Sequence, residues 1–259
     1  MKYKTYNLEN KISLLEVGHD QGLKVVFCPV GASIKTIYLD DVQINTSPKN
    51  AIEFLNSNYG KTSGPNVLDK PFTSKGKTYT KNEDGKKYNC SNFIYEAKPY
   101  LDKNIFSITY FFKKKKMADG FPGNVSYYVT YSLNDSQNVL LVDYRAITDE
   151  ITPISISNTL SFNLGDNDIN NIKIELPDCL TKEDNAEFYN GLENNQIIKV
   201  ENRDYRVEIE PKNYAFLKVA KDQADNACFI TPIDNPNKNN IVVRGETYQR
   251  QIIYRFIKK

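Results

Sequence analysis

The chain lacks tryptophan altogether and carries a single histidine, His19. It also lacks paired cysteines, because Cys28, Cys90, Cys179 and Cys228 are widely spaced with no Cys-x-x-Cys arrangement. Such spacing indicates neither a disulfide framework nor a zinc site. It favours four free thiols in a reducing cytosol. We therefore expect neither a metal nor a cofactor.

Long apolar runs are missing as well. No segment approaches the roughly 20 apolar residues that a membrane-spanning helix needs, and the N-terminal residues show no apolar core of an export signal. The net charge is only +2, from 34 basic and 32 acidic residues. Electrostatics therefore favour neither nucleic acid nor a membrane as partner. We expect a cytoplasmic protein that binds neither.

Aromatic residues are plentiful, with 18 tyrosines and 13 phenylalanines. Sugar-binding clefts use aromatic faces, but half-buried strands are also rich in these residues, and we assign most of them to the core. Hydrophobic residues make up 40% of the chain and charged residues 25%, an ordinary balance for a globular protein. Many short strands with few helices predict an all-β sandwich.

Alternation of apolar and polar residues marks the strands. The clearest core strands are residues 125–131, 139–146 and 251–257. Further strands are predicted at 12–17, 23–28, 33–39, 105–112, 154–156, 172–174, 207–209, 214–219, 228–231 and 241–243, and a hairpin around Gly76.

Three other segments carry predictions. Ser47 followed by Pro48 suits the start of a helix of about two turns. Residues 181–184 suit a turn or a short helix. Four lysines at 113–116 are interpreted as a solvated hairpin end, the alternative being an anion contact.

Several short motifs then follow one another along the chain. Residues 120–124 read Gly-Phe-Pro-Gly-Asn, residues 143–149 read Asp-Tyr-Arg-Ala-Ile-Thr-Asp, and residues 158–164 read Asn-Thr-Leu-Ser-Phe-Asn-Leu. Near the C-terminus, Gly-Glu-Thr-Tyr at 245–248 precedes Tyr-Arg-Phe at 254–256. Their order and spacing resemble the aldose 1-epimerase (galactose mutarotase) family.

The resemblance implies a fold and a ligand. The fold is a galactose mutarotase-like β-supersandwich of two large antiparallel sheets with few short helices. We expect it to form one domain over residues 1–259, with a concave cleft that holds a carbohydrate such as a monosaccharide or a sugar derivative. The sequence specifies neither the sugar nor the oligomeric state.

The chemistry of the family is not carried over. Mutarotation needs a base at the anomeric hydroxyl and an acid at the ring oxygen, which the family supplies as a glutamate and a histidine. The matching positions here are Ile230 and Thr159, while a second active-site histidine of the family either falls at Cys90 or is missing. Arginine contacts of the family fall near Pro65 and Asp69. We expect His19 on a surface turn outside the cleft.

Two hypotheses follow. In the first, the chain binds a carbohydrate in the cleft but is catalytically impaired or inactive, and it has no catalytic residue. In the second, it is an active aldose 1-epimerase with rearranged acid–base groups, for which Asp234 and Cys90 are the candidates. The residues expected to contact the sugar are Cys90, Asn158, Thr159, Ile230, Thr231 and Asp234.

Overall fold

The regular structure is almost entirely β strand, which confirms the all-β prediction. The computed structural model describes residues 1–8, 12–19, 21–48, 50–64, 71–81, 88–102, 104–134, 137–184 and 187–259. Within them lie one α-helix, α1 (Ala51–Asn56), and two single-turn 3₁₀ helices, Cys90–Asn92 and Ile169–Asn171. The positions of the expected arginine contacts, Pro65 and Asp69, lie outside the described residues.

The strands are numbered in chain order. The first are β1 (Lys2–Asn7), β2 (Ser13–Gly18), β3 (Leu23–Cys28), β4 (Ser33–Leu39), β5 (Val42–Gln43), β6 (Thr62–Ser63), β7 (Phe72–Ser74) and β8 (Lys77–Tyr79). Next come β9 (Glu96–Asp102), β10 (Ile105–Lys114), β11 (Val125–Asn134), β12 (Val139–Thr148), β13 (Thr152–Pro153), β14 (Ser157–Asn158), β15 (Leu160–Phe162) and β16 (Lys173–Glu175). The last are β17 (Thr181–Lys182), β18 (Phe188–Asn190), β19 (Ile198–Glu201), β20 (Tyr205–Lys212), β21 (Phe216–Asp222), β22 (Ala227–Ile233), β23 (Ile241–Val242) and β24 (Thr247–Lys258).

Three antiparallel sheets carry the architecture. The large sheet has eight strands in the order β16-β19-β20-β24-β12-β11-β10-β9. The N-terminal sheet runs β1-β2-β3-β4-β5, and the C-terminal sheet runs β15-β22-β21-β18-β17. An isolated bridge between Asn45 and Phe162 joins the edges of these two five-stranded sheets. The second predicted large sheet is thus built from two smaller ones that meet at this bridge.

The core lies between the large sheet and the two smaller sheets. Strand β11 buries every second residue, and Val125, Tyr127, Val129 and Tyr131 all face inward, as the alternation predicts. The ring of Tyr131 lies 5.1 Å from that of Phe27 on β3. The other half of the core is closed where Phe162 on β15 meets Tyr254 on β24 at 6.2 Å.

Most predicted strands are present, but three local predictions are wrong. The helix is capped by Asn50, not Ser47, because the Asn50 side chain accepts a hydrogen bond from the Glu53 backbone N–H at 2.8 Å. Residues 154–156 lie between the short strands β13 and β14 rather than forming a strand. Residues 181–182 form strand β17, which pairs with β18.

All four cysteines are free thiols, with Cys28, Cys90 and Cys228 buried and Cys179 exposed. Burial raises the pKa of Cys90 and of Cys228 to about 12. In the part of the chain that the structure describes, no cluster of three potential metal-ligating side chains was found. No described helix is both long and apolar enough to cross a membrane.

The lysine run at 113–116 is not uniformly solvated. Lys113, Lys115 and Lys116 are exposed, but Lys114 is 1% exposed because it falls on the inward-facing register of β10. Its ammonium contacts the buried Asp119 carboxylate at 2.7 Å. The prediction of a solvated hairpin end is therefore wrong at Lys114, where strand alternation overrides the local charge pattern.

The Gly-Phe-Pro-Gly-Asn turn at 120–124 is tied to the same region. The Asp119 carboxylate also accepts a hydrogen bond from the Phe121 N–H at 3.1 Å. At the other end of the turn, Asn124 donates to Asp149 through its backbone and its side chain, both at 2.7 Å. Gly123 has φ +96°, and a Cβ there would lie 2.6 Å from the Thr148 hydroxyl oxygen. The turn motif and the Thr-Asp motif are therefore two halves of one contact.

We expect the substitution Lys114→Met to cost about 3–5 kcal/mol in the free energy of unfolding, because it leaves Asp119 buried without its counter-ion. Adding Asp119→Asn should recover most of the lost stability, since the amide oxygen can still accept the hydrogen bond from the Phe121 N–H. Urea unfolding of both variants measures this. The exposed neighbour provides the control, as Lys115→Met should stay within about 0.5 kcal/mol of wild type. Equal losses for the two lysine variants would contradict the buried pair.

Candidate functional site

A cleft of about 650 Å³ lies on the face of the C-terminal sheet that points away from the core. Strands β21 and β22 form its floor, the segment 155–159 and Ser63 form one side, and the residues after β22 form another. The lining residues are Ser63, Ser155, Ser157, Thr159, Glu187, Phe188, Lys218, Ala220, Lys221, Asp222, Phe229, Thr231, Ile233, Asp234, Asn235 and Pro236.

Strand alternation selects which residues of β22 reach the cleft. Phe229, Thr231 and Ile233 line it, whereas Cys228 and Ile230 belong to the hydrophobic core. Successive side chains of a strand point to opposite faces, so the two sets cannot exchange without a shift of register. The cross-strand partner of Thr231 is Lys218 on β21, another lining residue.

The hydroxyl-rich side of the cleft is held by backbone pairing. Ser157 on β14 pairs with Ser63 on β6, and their hydroxyl oxygens lie 3.0 Å apart. Beside them the Gly60 N–H donates to the Thr159 carbonyl at 2.8 Å. Gly60 has φ +64°, and a Cβ there would lie 1.9 Å from the Ile34 carbonyl oxygen, so the approach needs glycine. This pairing fixes Ser63, Ser157 and Thr159 on one rim.

Asp234 closes one end of the cleft and is part of a buried polar network. Its carboxylate accepts from the Arg250 Nε at 2.7 Å and from the Tyr248 hydroxyl at 2.8 Å. The same Tyr248 oxygen accepts from the Ile156 N–H at 3.0 Å. Burial raises the pKa of Tyr248 well above its ordinary value, so its hydroxyl keeps the proton that it donates. The network ties Asp234 to the segment that carries Ser155 and Ser157.

The remaining charged groups of the cleft are also engaged. Lys218 Nζ lies 3.2 Å from a Glu187 carboxylate oxygen. Lys221 donates to the Ile172 carbonyl at 2.6 Å, and Asp222 accepts from the backbone N–H groups of the turn that follows it. These charged groups of the cleft are therefore held by an ion pair or by backbone hydrogen bonds, beside neutral hydroxyl groups.

Aromatic rings border the cleft on two sides. The Phe229 ring lies 5.5 Å from the ring of Tyr59, which is outside the cleft. Phe188 packs under the Lys218 ammonium at 5.7 Å. Flat apolar rings next to hydroxyl groups are the mixture that holds a pyranose, which has one apolar face and a polar edge.

The structure separates the six sugar-contact candidates into two groups. Thr159, Thr231 and Asp234 line the cleft. Cys90, Asn158 and Ile230 do not, and each is at most 1% exposed. A sugar in the cleft would therefore not touch these three directly.

Each of the buried candidates has a structural reason to be covered. Ile230 occupies the inward register of β22, and Cys90 lies in the core cluster. The Asn158 side chain donates to the Gly60 carbonyl at 3.1 Å. His19, the single histidine, lies in a separate depression with Lys2 and Glu16, as expected of a residue outside the cleft.

Sequence reasoning missed most of the lining residues. Once Thr231 is known to line the cleft, alternation along β22 and its pairing with β21 identify Phe229, Lys218 and Ala220 as further lining residues. The serines at 63, 155 and 157 and the carboxylate of Glu187 carry no local signal, because only chain pairing brings them to the cleft.

We expect Tyr248→Phe to lower the free energy of unfolding by about 2–3 kcal/mol, because it leaves a buried backbone N–H and a buried carboxylate oxygen each without a partner. Urea unfolding measures this loss as a lower midpoint, and the m-value should stay unchanged. Tyr100 is 62% exposed on β9, so Tyr100→Phe is the matched control and should change stability little. A Tyr248→Phe midpoint equal to that of wild type would show that the network contributes nothing.

Solved structures share this architecture. Galactose 1-epimerase from Lactobacillus acidophilus superposes with a TM-score of 0.84 at 14% identity, covering 99% of this chain and 98% of that one. A galactose mutarotase-like protein from Clostridium acetobutylicum gives 0.81 at 16% identity, covering 100% and 99%. The GalM/aldose epimerase homologue from C. elegans gives 0.79 at 16% identity, covering 95% and 99%. At such low identities these likenesses establish the fold.

No curated protein matches the chain. The family model for aldose 1-epimerase does match, over residues 13–254. That span includes the motifs at 120–124, 143–149 and 158–164, the Gly-Glu-Thr-Tyr motif at 245–248 and every residue that lines the cleft. The chain belongs to the aldose 1-epimerase family.

Proposed function

We propose that the chain binds a carbohydrate in the cleft and catalyses the interconversion of sugar anomers little or not at all. The observation that carries the proposal is the composition of the cleft. Hydroxyl groups of Ser63, Ser155, Ser157, Thr159 and Thr231 line it beside the rings of Phe188 and Phe229. Among the cleft-lining residues that the structure describes, none is a histidine.

The proposed lack of catalysis rests on what a mutarotase needs. One group must take the proton of the anomeric hydroxyl while another protonates the ring oxygen, and both need a pKa near the working pH. Thr159 has a hydroxyl that does not titrate usefully, and Ile230 faces the core. The family position of each group therefore holds a side chain that transfers no proton.

The two substitutes suggested by the sequence are both compromised. Asp234 already accepts hydrogen bonds from Arg250 and Tyr248, one on each carboxylate oxygen, and these bonds compete with its use as a base. Cys90 is fully buried, and its raised pKa keeps it a thiol. The four free cysteines, by contrast, fit the proposed cytoplasmic location.

A second candidate function is an active aldose 1-epimerase with a rearranged pair. Glu187 and Lys218 favour it, because both line the cleft with carboxylate and ammonium 3.2 Å apart. A carboxylate and an ammonium are in principle a base and an acid. Both side chains are more than 40% exposed, however. Water therefore reaches both groups and competes with a bound sugar for their hydrogen bonds.

We expect wild type to bind a simple hexose, and the double variant Thr159→Val with Thr231→Val to bind it more weakly. Each lost hydrogen bond should cost about 1 kcal/mol, or roughly fivefold in Kd. Titrations with glucose, galactose and mannose, monitored by saturation-transfer NMR, measure the affinities. Thr130 lies on the outward face of the large sheet and bonds to Thr109, so Thr130→Val is the control. Identical affinities for both variants would place the sugar elsewhere.

We expect wild type not to accelerate the α-to-β interconversion of glucose or galactose. One general acid or base contributes on the order of 10²–10⁴ in rate, so loss of both leaves little above the reaction in water. Polarimetry of freshly dissolved α-glucose and α-galactose measures the rate. A rate that rises linearly with protein concentration, and falls in Glu187→Gln or Lys218→Met, would establish the rearranged epimerase instead.

A further inference from the structure

A second cavity adjoins the cleft. It has a volume of about 370 Å³ and lies on the far side of Asp234 and Asn235, which line both spaces. The two cavities therefore share a wall of two consecutive residues, directly after strand β22. The wall is anchored because Asp234 is held by Arg250 and Tyr248.

Amide side chains dominate the second cavity. Asn213, Asn235, Asn239 and Asn240 line it, together with Lys238 and the Arg250 side chain. An amide both donates and accepts hydrogen bonds, so it suits neighbouring hydroxyl groups, each of which also does both. Because Asp234 neutralises Arg250, Lys238 is the one unneutralised charge among the lining residues. The amides, together with the three N–H donors of Lys238, offer several hydrogen bonds to a polyol.

The backbone around the second cavity is held in place. Asn240 and Ile154 exchange two hydrogen bonds, Ile154 N–H to the Asn240 carbonyl at 2.9 Å and Asn240 Nδ2 to the Ile154 carbonyl at 3.1 Å. On the other side, the Asn213 N–H donates to the Asn194 side chain at 2.7 Å. Arg250 lies over the Tyr248 ring at 4.5 Å. Because these groups are already ordered, ligand binding in this cavity costs less conformational entropy, and the free energy of binding is more favourable.

We infer that the cleft and the second cavity bind consecutive residues of one oligosaccharide, so that the ligand is a glycan chain rather than a free monosaccharide. The inference rests on the proposed function and extends it. A mutarotase needs only the reducing-end residue, where the anomeric hydroxyl is free. A cleft without a proton-transferring pair has no such requirement and gains affinity from each further residue that it holds.

Isothermal titration with three oligosaccharide series tests the inference: β-1,4-linked glucose, α-1,4-linked glucose and β-1,4-linked galactose, each from one to four residues. In at least one series we expect the affinity to rise about tenfold or more from the monosaccharide to the trisaccharide. Ala215 is exposed and lines the second cavity. Ala215→Leu should therefore abolish the gain and leave monosaccharide affinity unchanged.

Matched variants separate this effect from a loss of folding. Ala97 is an exposed alanine on the edge strand β9 of the large sheet, and Ala97→Leu should leave the whole series unchanged. Lys238→Ala should reduce the gain in affinity several-fold without affecting the monosaccharide, whereas Lys77→Ala in the hairpin should not. Circular dichroism confirms that all four variants are folded.

The outcomes distinguish the two proposals. Monosaccharide binding with no gain on lengthening overturns the inference and leaves the proposed function standing. A gain that survives Ala215→Leu and Lys238→Ala also overturns it, because the further residues then lie elsewhere. Failure of every series, monosaccharides included, overturns the proposed function and the inference with it.

Discussion

Burial of the aromatic inner face of the large sheet is the interaction on which the rest of the structure depends. The N-terminal sheet packs on it through Phe27 and Tyr131, and the Tyr131 hydroxyl also donates to the Ala32 carbonyl. The C-terminal sheet packs on it through Phe162 and Tyr254. Each small sheet therefore turns one face to this core. The other face of the N-terminal sheet is covered by α1, where Leu14 and Val26 belong to a second buried cluster with Phe54. The cleft forms on the outward face of the C-terminal sheet.

The packing of one face of the C-terminal sheet against the core also determines which side chains line the cleft. Once Cys228 and Ile230 are in the core, the period of the strand puts Phe229, Thr231 and Ile233 outside. Ile230, the residue aligned by sequence resemblance with the family's glutamate, is therefore in the core and not in the lining of the cleft. A polar group there would also be buried without a partner, which is costly. Isoleucine is the residue type that this environment favours.

The family fold is retained here, whereas the loss of its acid–base pair is a proposal that rests on Thr159 and Ile230. The motifs at 120–124 and 143–149 are retained because they build the structure: Asn124 and Asp149 hold the turn against the end of β12, and Asp119 pairs with Lys114 beneath it. None of these residues lines the cleft. The motifs that identify the family are therefore separate from the residues that line the cleft. A chain can keep such motifs, and with them the fold, whatever reaction its cleft performs.

The amino-acid sequence by itself determined the all-β class, most strand positions and the family, because alternation and turn residues act locally. Three of the residues that it proposed as sugar contacts, Thr159, Thr231 and Asp234, line the cleft. Only the tertiary structure decided that Lys114 is buried, that Cys90, Asn158 and Ile230 are covered, and that Ser63 and Glu187 face the cleft. The reason is physical: a strand's periodicity states which residues share a face, but only the packing of that strand against other segments decides which face is inside and which distant side chains lie opposite it.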